Sequence, residues 1–210
     1  MAGFNQFFDD LSGSEAWIYG GAIDQEFGTK VFGGAEYTRR DLTVPLNQLQ
    51  SETGELVVVE RDASEDLVRG YLFATPDDWL ALGAQYQYEK FERDPDPSLG
   101  IFSEVRTHRV PLSAQLFHPC GLSASLAGTF IDQKGSFLEV QNPGDFIPGE
   151  VNFWTFDAAL RYRLPGRRGF LVAGVSNFTD NEDTYQPTDL KNPTSQPGRT
   201  FYGRVTLALP

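Results

Sequence analysis

With Cys120 its only cysteine, the chain has no intrachain disulfide framework to stabilise it. Histidine is almost as scarce. His108 and His118 are too few for a histidine-based metal site, and on alternating strands they are expected to face solvent or an interface. Basic charge is short as well: 17 Lys and Arg oppose 29 Asp and Glu, a formal net charge of -12 over 210 residues. That balance excludes a nucleic-acid surface, and equally a basic patch docked on anionic headgroups. The opening run, Met1-Ala2-Gly3-Phe4-Asn5-Gln6-Phe7-Phe8-Asp9-Asp10, has neither a basic region nor a continuous apolar stretch, so no signal peptide is expected. One run without formal charge, Val110 to Ile131, is long enough for a membrane helix. Pro111, Pro119, Gly121 and Gly128 would break such a helix, and strand-turn-strand fits better. Nucleophile elbow, Walker loop, dinucleotide fingerprint and zinc-protease helix are all missing, so the chain is not expected to be an enzyme.

What the chain does have is aromatic residues, glycine and regular alternation, which a disordered acidic polypeptide lacks. From Trp79 to Phe91, Leu80, Leu82, Ala84, Tyr86 and Tyr88 alternate with Gly83, Gln85, Gln87 and Glu89. From Gly121 to Gln133, Leu122, Ala124, Leu126, Gly128 and Phe130 oppose Ser123, Ser125, Thr129 and Gln133. From Asn152 to Leu164, Trp154, Phe156, Ala158, Leu160 and Tyr162 oppose Thr155, Asp157, Arg161 and Arg163. From Arg199 to Leu209, Phe201, Gly203, Val205 and Leu207 oppose Thr200, Tyr202, Arg204 and Thr206. A period of two means strands. Less regular strands are expected at Glu15–Phe27, Lys30–Leu42, Leu56–Ala74, Glu104–Phe117 and Phe170–Phe178, the last with no assignable orientation.

The connections alternate in length. Phe27-Gly28-Thr29, Thr75-Pro76-Asp77, His118-Pro119-Cys120 and Pro165-Gly166-Arg167-Arg168-Gly169 read as short turns. Between them come long polar connections at residues 43–55, 92–103, 134–150 and 179–198. Outer-membrane barrels keep this parity, with short periplasmic turns and long extracellular loops. Tyr37, Tyr86, Tyr88, Phe130, Trp154, Phe156 and Phe201 fall at the long-loop ends of apolar faces, where an aromatic girdle would meet lipid headgroups. Gln85, Gln87, Glu89, Asp157, Arg161, Arg163 and Arg204 would then line the lumen, beside a hydrated pathway, against a plug, or bonded to one another.

The expected fold is all-β: an antiparallel up-and-down transmembrane β-barrel segment of about nine to ten strands, part of a larger barrel because such barrels close with even numbers. Residues 15–210 would hold the strands, and residues 1–14 a truncated extracellular loop or partial strand. The partners expected are outer-membrane lipid, missing N-terminal strands and a plug domain.

Val175-Ser176-Asn177-Phe178-Thr179-Asp180 with the later Tyr185 resembles the penultimate-strand motif of TonB-dependent receptors, Asn-Leu-Phe-Asp followed by a tyrosine. Pro197-Gly198-Arg199-Thr200-Phe201-Tyr202-Gly203-Arg204-Val205-Thr206-Leu207 is similar to their closing strand, and Leu160-Arg161-Tyr162-Arg163-Leu164-Pro165 to the strand before that hairpin. The resemblance covers about residues 150–209, and its motifs are shared with other large outer-membrane proteins. Two positions depart: Thr179 replaces a phenylalanine, and the chain ends Leu209-Pro210 rather than on an aromatic. The resemblance implies a receptor or porin-like barrel for solute uptake in the outer membrane of a Gram-negative bacterium, with TonB a partner by resemblance only and no cofactor. The alternatives are the barrel of an export porin joined to periplasmic repeats, and a soluble ligand-binding barrel. Asp180-Asn181-Glu182-Asp183 and Asp94-Pro95-Asp96 lack calcium-loop spacing and read as solvated loops, and the sequon Asn177-Phe178-Thr179 reads as coincidence.

Overall fold

The computed structural model describes residues 13–49, 55–95, 102–139, 145–185, 194–195 and 197–208. Alternation over β-favouring residues produces the strands β1 (Glu15–Phe27), β2 (Val31–Leu49), β3 (Leu56–Asp77) and β4 (Leu80–Arg93). They continue as β5 (Phe102–Phe117), β6 (Leu122–Leu138), β7 (Phe146–Arg163) and β8 (Gly169–Ser176). The two-residue strands β9 (Thr184–Tyr185) and β10 (Thr194–Ser195) pair with each other, and β11 (Thr200–Leu207) closes the sequence of elements. One antiparallel sheet holds nine strands in the order β1-β2-β3-β4-β5-β6-β7-β8-β11, each hydrogen-bonded to its sequence neighbour in up-and-down fashion.

The nine expected segments are these nine strands, but several bounds need correction. The turn expected at Thr75-Pro76-Asp77 lies further on: β3 continues through an irregular register to Asp77, which pairs with Leu80. Of the connections expected to be long, 43–55 and 134–150 are more than half strand, because β2 runs to Leu49, β6 to Leu138 and β7 starts at Phe146, whereas 92–103 has only its ends in β4 and β5. The intervals between these strands, 50–55, 94–101 and 139–145, lie mostly outside the described residues. The expected segment 1–14 lies outside the described residues except for Gly13 and Ser14, as does the terminal Leu209-Pro210.

The expected antiparallel up-and-down arrangement is observed, without closure into a barrel. The sheet is open, with β1 and β11 at its two edges. The strand count supplies the reason. With antiparallel neighbours throughout, the first and ninth strands run the same way, so β1 and β11 cannot close an antiparallel seam on each other.

The register sorts side chains onto two faces, since directly paired residues share one. Tyr37 pairs with Val68, Val68 with Tyr88, Tyr88 with His108, His108 with Asp132, and Asp132 with Asn152. Gln85, by contrast, belongs with Tyr71 and Gly34 on the other side. These two sides are the Tyr37 face and the Gln85 face.

Along the strands the apolar side changes face. Near the short turns it is the Tyr37 face, carrying Leu72, Leu82, Leu112, Leu126, Leu160 and Val205. Near the long connections it is the Gln85 face, where Leu42, Leu67, Phe91, Val105, Ile131 and Phe153 are buried. The core sits at that distal end. Phe102, fully buried, meets Phe91 edge to face at 5.3 Å, with Val105 beside them. The buried Arg93 guanidinium covers both rings, and its Nε donates to the Phe102 carbonyl at 2.7 Å. The switch of phase explains the misplaced connections, since alternation reverses there while the hydrogen-bond ladder carries on.

Candidate functional site

All seven residues expected in the girdle lie on the Tyr37 face. Six of them form a row at the distal border of its apolar half, Tyr37 in β2, Tyr86 and Tyr88 in β4, Phe130 in β6, and Trp154 and Phe156 in β7, whereas Phe201 in β11 is level in register, through Val175 and Ala158, with Leu126. Trp154 stacks on Phe156 with ring centres 5.6 Å apart and planes 7° apart, and Phe130 meets Trp154 at 5.1 Å. Gly128 makes room for the Phe156 ring, whose carbons would lie 2.8 Å from a Cβ there.

Two tyrosines of this row, Tyr37 and Tyr86, share a direction with Tyr19 of β1. Tyr37 Oη donates to Asp66 at 2.7 Å, and Tyr19, missed by the periodicity reading, donates to Asp41 at 3.0 Å. Tyr86 Oη lies 2.8 Å from His108 Nδ1. Each hydroxyl partner stands one step further from the short turns, beyond the apolar band. An amphipathic ring between an apolar and a wet zone adopts this posture. Past the row the same face turns ionic, with the pairs Lys90–Glu92 at 2.5 Å, Arg39–Asp41 at 2.9 Å and Lys134–Glu150 at 3.5 Å.

Below the row the apolar band is exposed. Leu126, Leu160 and Leu72 keep 52%, 55% and 49% of their surface open, while Leu82, Leu112 and Leu171 are exposed too. Leu80 to Tyr88 and Leu122 to Phe130 each run about nine residues, matching the ~9–11 that a tilted strand needs to cross a bilayer. Among the described residues no helix is long and apolar enough to cross a membrane.

The seven residues expected in the lumen share the Gln85 face but do not form one cluster. Gln85, Gln87 and Glu89 lie on β4, whereas Asp157, Arg161 and Arg163 lie on β7 and Arg204 on β11, with β5 and β6 between. Gln87 donates to Glu89, a short-range pairing along one strand. Asp157 is committed elsewhere: its Oδ1 accepts the Asn177 backbone N–H at 2.8 Å.

That contact opens a knot between the last two long strands. Asn177 is buried and takes a left-handed backbone, φ 49°, which asparagine tolerates better than most residues. Its Nδ2 donates to the carbonyls of Asn181 at 2.6 Å and Pro197 at 2.9 Å. Its Oδ1 accepts from the Asn181 amide and the Thr179 hydroxyl. Asp180, also left-handed, accepts from the Arg199 amide at 2.7 Å, so part of the acidic cluster ties the loop to β11. Since the Asn177 amide is fully engaged, the sequon is occupied by structure. Asn177→Ala removes the shared side-chain partner of the half-buried Asn181 amide and carbonyl and of the Pro197 carbonyl, at ~1–3 kcal/mol. Expected is faster hydrogen exchange at the Asn181 amide, with the β3–β4 ladder unaffected.

His118 lies exposed in the β5–β6 turn, where its Nδ1 stands 3.3 Å from the Cys120 amide nitrogen. Asp96 lies outside the described residues. Among the described residues no three His, Cys, Asp or Glu side chains gather into a metal-ligand set. No protein-family model, no curated protein and no solved structure matches the chain.

Proposed function

We propose that this chain forms part of the wall of an outer-membrane transport barrel, its Tyr37 face against lipid and its Gln85 face toward a hydrated pathway. One observation carries the reading: across nine strands the register aligns a single exposed apolar band, bordered by aromatics of which Tyr19, Tyr37 and Tyr86 turn their hydroxyls to partners beyond it. A water-exposed patch spanning a whole sheet is far larger than soluble monomers tolerate. Further strands would cover the edges of β1 and β11, because an unpaired backbone group in hydrocarbon costs several kcal/mol. Solute uptake, a plug domain and TonB come with the resemblance of residues 175–207 to the closing strands of TonB-dependent receptors.

The soluble-barrel reading is favoured by the distal core alone, where Phe91, Phe102 and Val105 turn inward beneath outward ion pairs. It leaves the proximal band uncovered. The test uses a variant whose one remaining tryptophan is Trp154 (W17F/W79F). Brominated detergent is expected to quench Trp154 strongly, and the chain to enter the detergent phase on cloud-point separation. A β-rich monomer that stays in plain buffer, with Trp154 unquenched, would sink the proposal.

A further inference from the structure

In a chain of net charge -12, three arginines share the short-turn end of the Gln85 face: Arg161 and Arg163 on β7, Arg204 on β11. Arg161 pairs with Val172, and Val172 with Arg204, so those two flank β8 at one level. Their backbones stand about 10 Å apart, at ~4.8 Å per strand spacing. Arg163 follows Arg161 on the same face, about 7 Å along the strand. Side chains as long as arginine's can converge from these origins over β8.

The three are not engaged by acids. Arg39, Arg40 and Arg106 each hold a carboxylate, whereas Arg161, Arg163 and Arg204 form no ion pair among the described residues. The one carboxylate on this face of β7, Asp157, accepts from the Asn177 amide. Asp77 and Asp78, at the same end, belong to the β3–β4 hairpin, at least three strand spacings from β7. That is about 14 Å, beyond the ~8 Å Debye length at physiological salt, so these two carboxylates are screened from the arginines.

One member is already oriented. The Arg161 guanidinium carbon lies 3.7 Å from the centre of the Phe170 ring, and Phe170 is the residue opposite Arg163. Stacking occupies the flat side of the guanidinium and leaves its edge N–H groups free for two-pronged recognition of an oxyanion. Tyr202 and Thr206 bring hydroxyls to the same face.

We infer that Arg161, Arg163 and Arg204, with Phe170 as a stacking plate, form a binding site for oxyanions, taking solutes that carry phosphate or carboxylate groups. Its place on a transport route rests on the barrel reading above, while the anion chemistry stands without it. The full chain, folded in dodecyl maltoside and checked by circular dichroism, is titrated calorimetrically with inorganic pyrophosphate and, separately, with citrate. Saturable binding of either probe is expected, weakening as salt rises. R161Q/R163Q/R204Q, all at exposed positions, is expected to weaken it at least tenfold, F170L severalfold, and R106Q not at all. Binding of pyrophosphate alone assigns phosphate chemistry, and of citrate alone carboxylate chemistry. Absence of saturable binding in the folded chain, or equal binding by the triple variant, overturns the site. A chain that folds without detergent defeats the barrel reading instead, and the same titration in buffer still decides the anion site.

Discussion

Leu126→Arg is expected to destabilise the folded chain by ~2–4 kcal/mol in lipid bicelles, the range for a cation at mid-depth on a barrel's lipid face. Leu126 stands in the middle of the exposed band, paired with Ala114 on one side and Ala158 on the other. Its neighbour Ser125 lies on the opposite face, paired with Gln115 and Ala159. Ser125→Arg therefore places the same charge beside polar residues and is expected to change stability by less than about 1 kcal/mol. The contrast discriminates between solvents. On a water-facing sheet, Leu126 is a surface position where even arginine costs less than ~0.5 kcal/mol. Urea titration of both variants in bicelles reads the difference directly, and equal midpoints would mean that water, not lipid, meets the band.

The second large effect belongs to the distal core. Phe102→Ala is expected to cost ~3–5 kcal/mol, the usual range when a buried phenylalanine is truncated and its site cannot collapse. Phe102 has no exposed surface, and its carbonyl is the acceptor for Arg93. Truncation opens a void beneath the guanidinium and removes the ring it covers. The loss should appear as a lower urea midpoint and as faster amide exchange where β4 meets β5. Arg106→Ala, an exposed control on the other face, should stay within ~0.5 kcal/mol. If Phe102→Ala matched that control, the distal cluster would not be a core. This prediction holds in water and lipid alike, so it separates the integrity of the sheet from its solvent.

Much of the sheet is legible in the amino-acid sequence. Leu80, Leu82, Ala84, Tyr86 and Tyr88 have the period of a strand, and Glu15–Phe27 has the bounds that the structure shows. The aromatics of the expected girdle lie together on one face, because strict alternation leaves no other arrangement once a strand is granted. Beyond the aromatic row, at residues 43–49 and 146–151, the period fails to mark the strands, and the reason is physical. Alternation reports which side is greasy, so it breaks where the greasy side changes face, even though backbone hydrogen bonding does not. Orientation of β8 is illegible for a related reason: Leu171, Ala173 and Val175 face one way and Phe170 and Val172 the other, so both sides are apolar.

The candidate site divides in the same manner. Arg161, Arg163 and Arg204 are marked as polar-face residues by their parity, since a side chain's face is a local property of its strand. That Phe170 stacks beneath Arg161, that Asp157 is spent on Asn177, and that the arginines flank β8 while Gln85, Gln87 and Glu89 stand apart depend on pairing between distant segments.

Composition and period alone determined an all-β chain, its nine long strands and the two chemistries of their sides, because these arise within a few neighbouring residues. Only the tertiary structure decided the register across strands and the distal core, where the apolar side changes face. Those follow from which strand lies beside which, whereas the odd count that sets the two edges running the same way is already in the sequence.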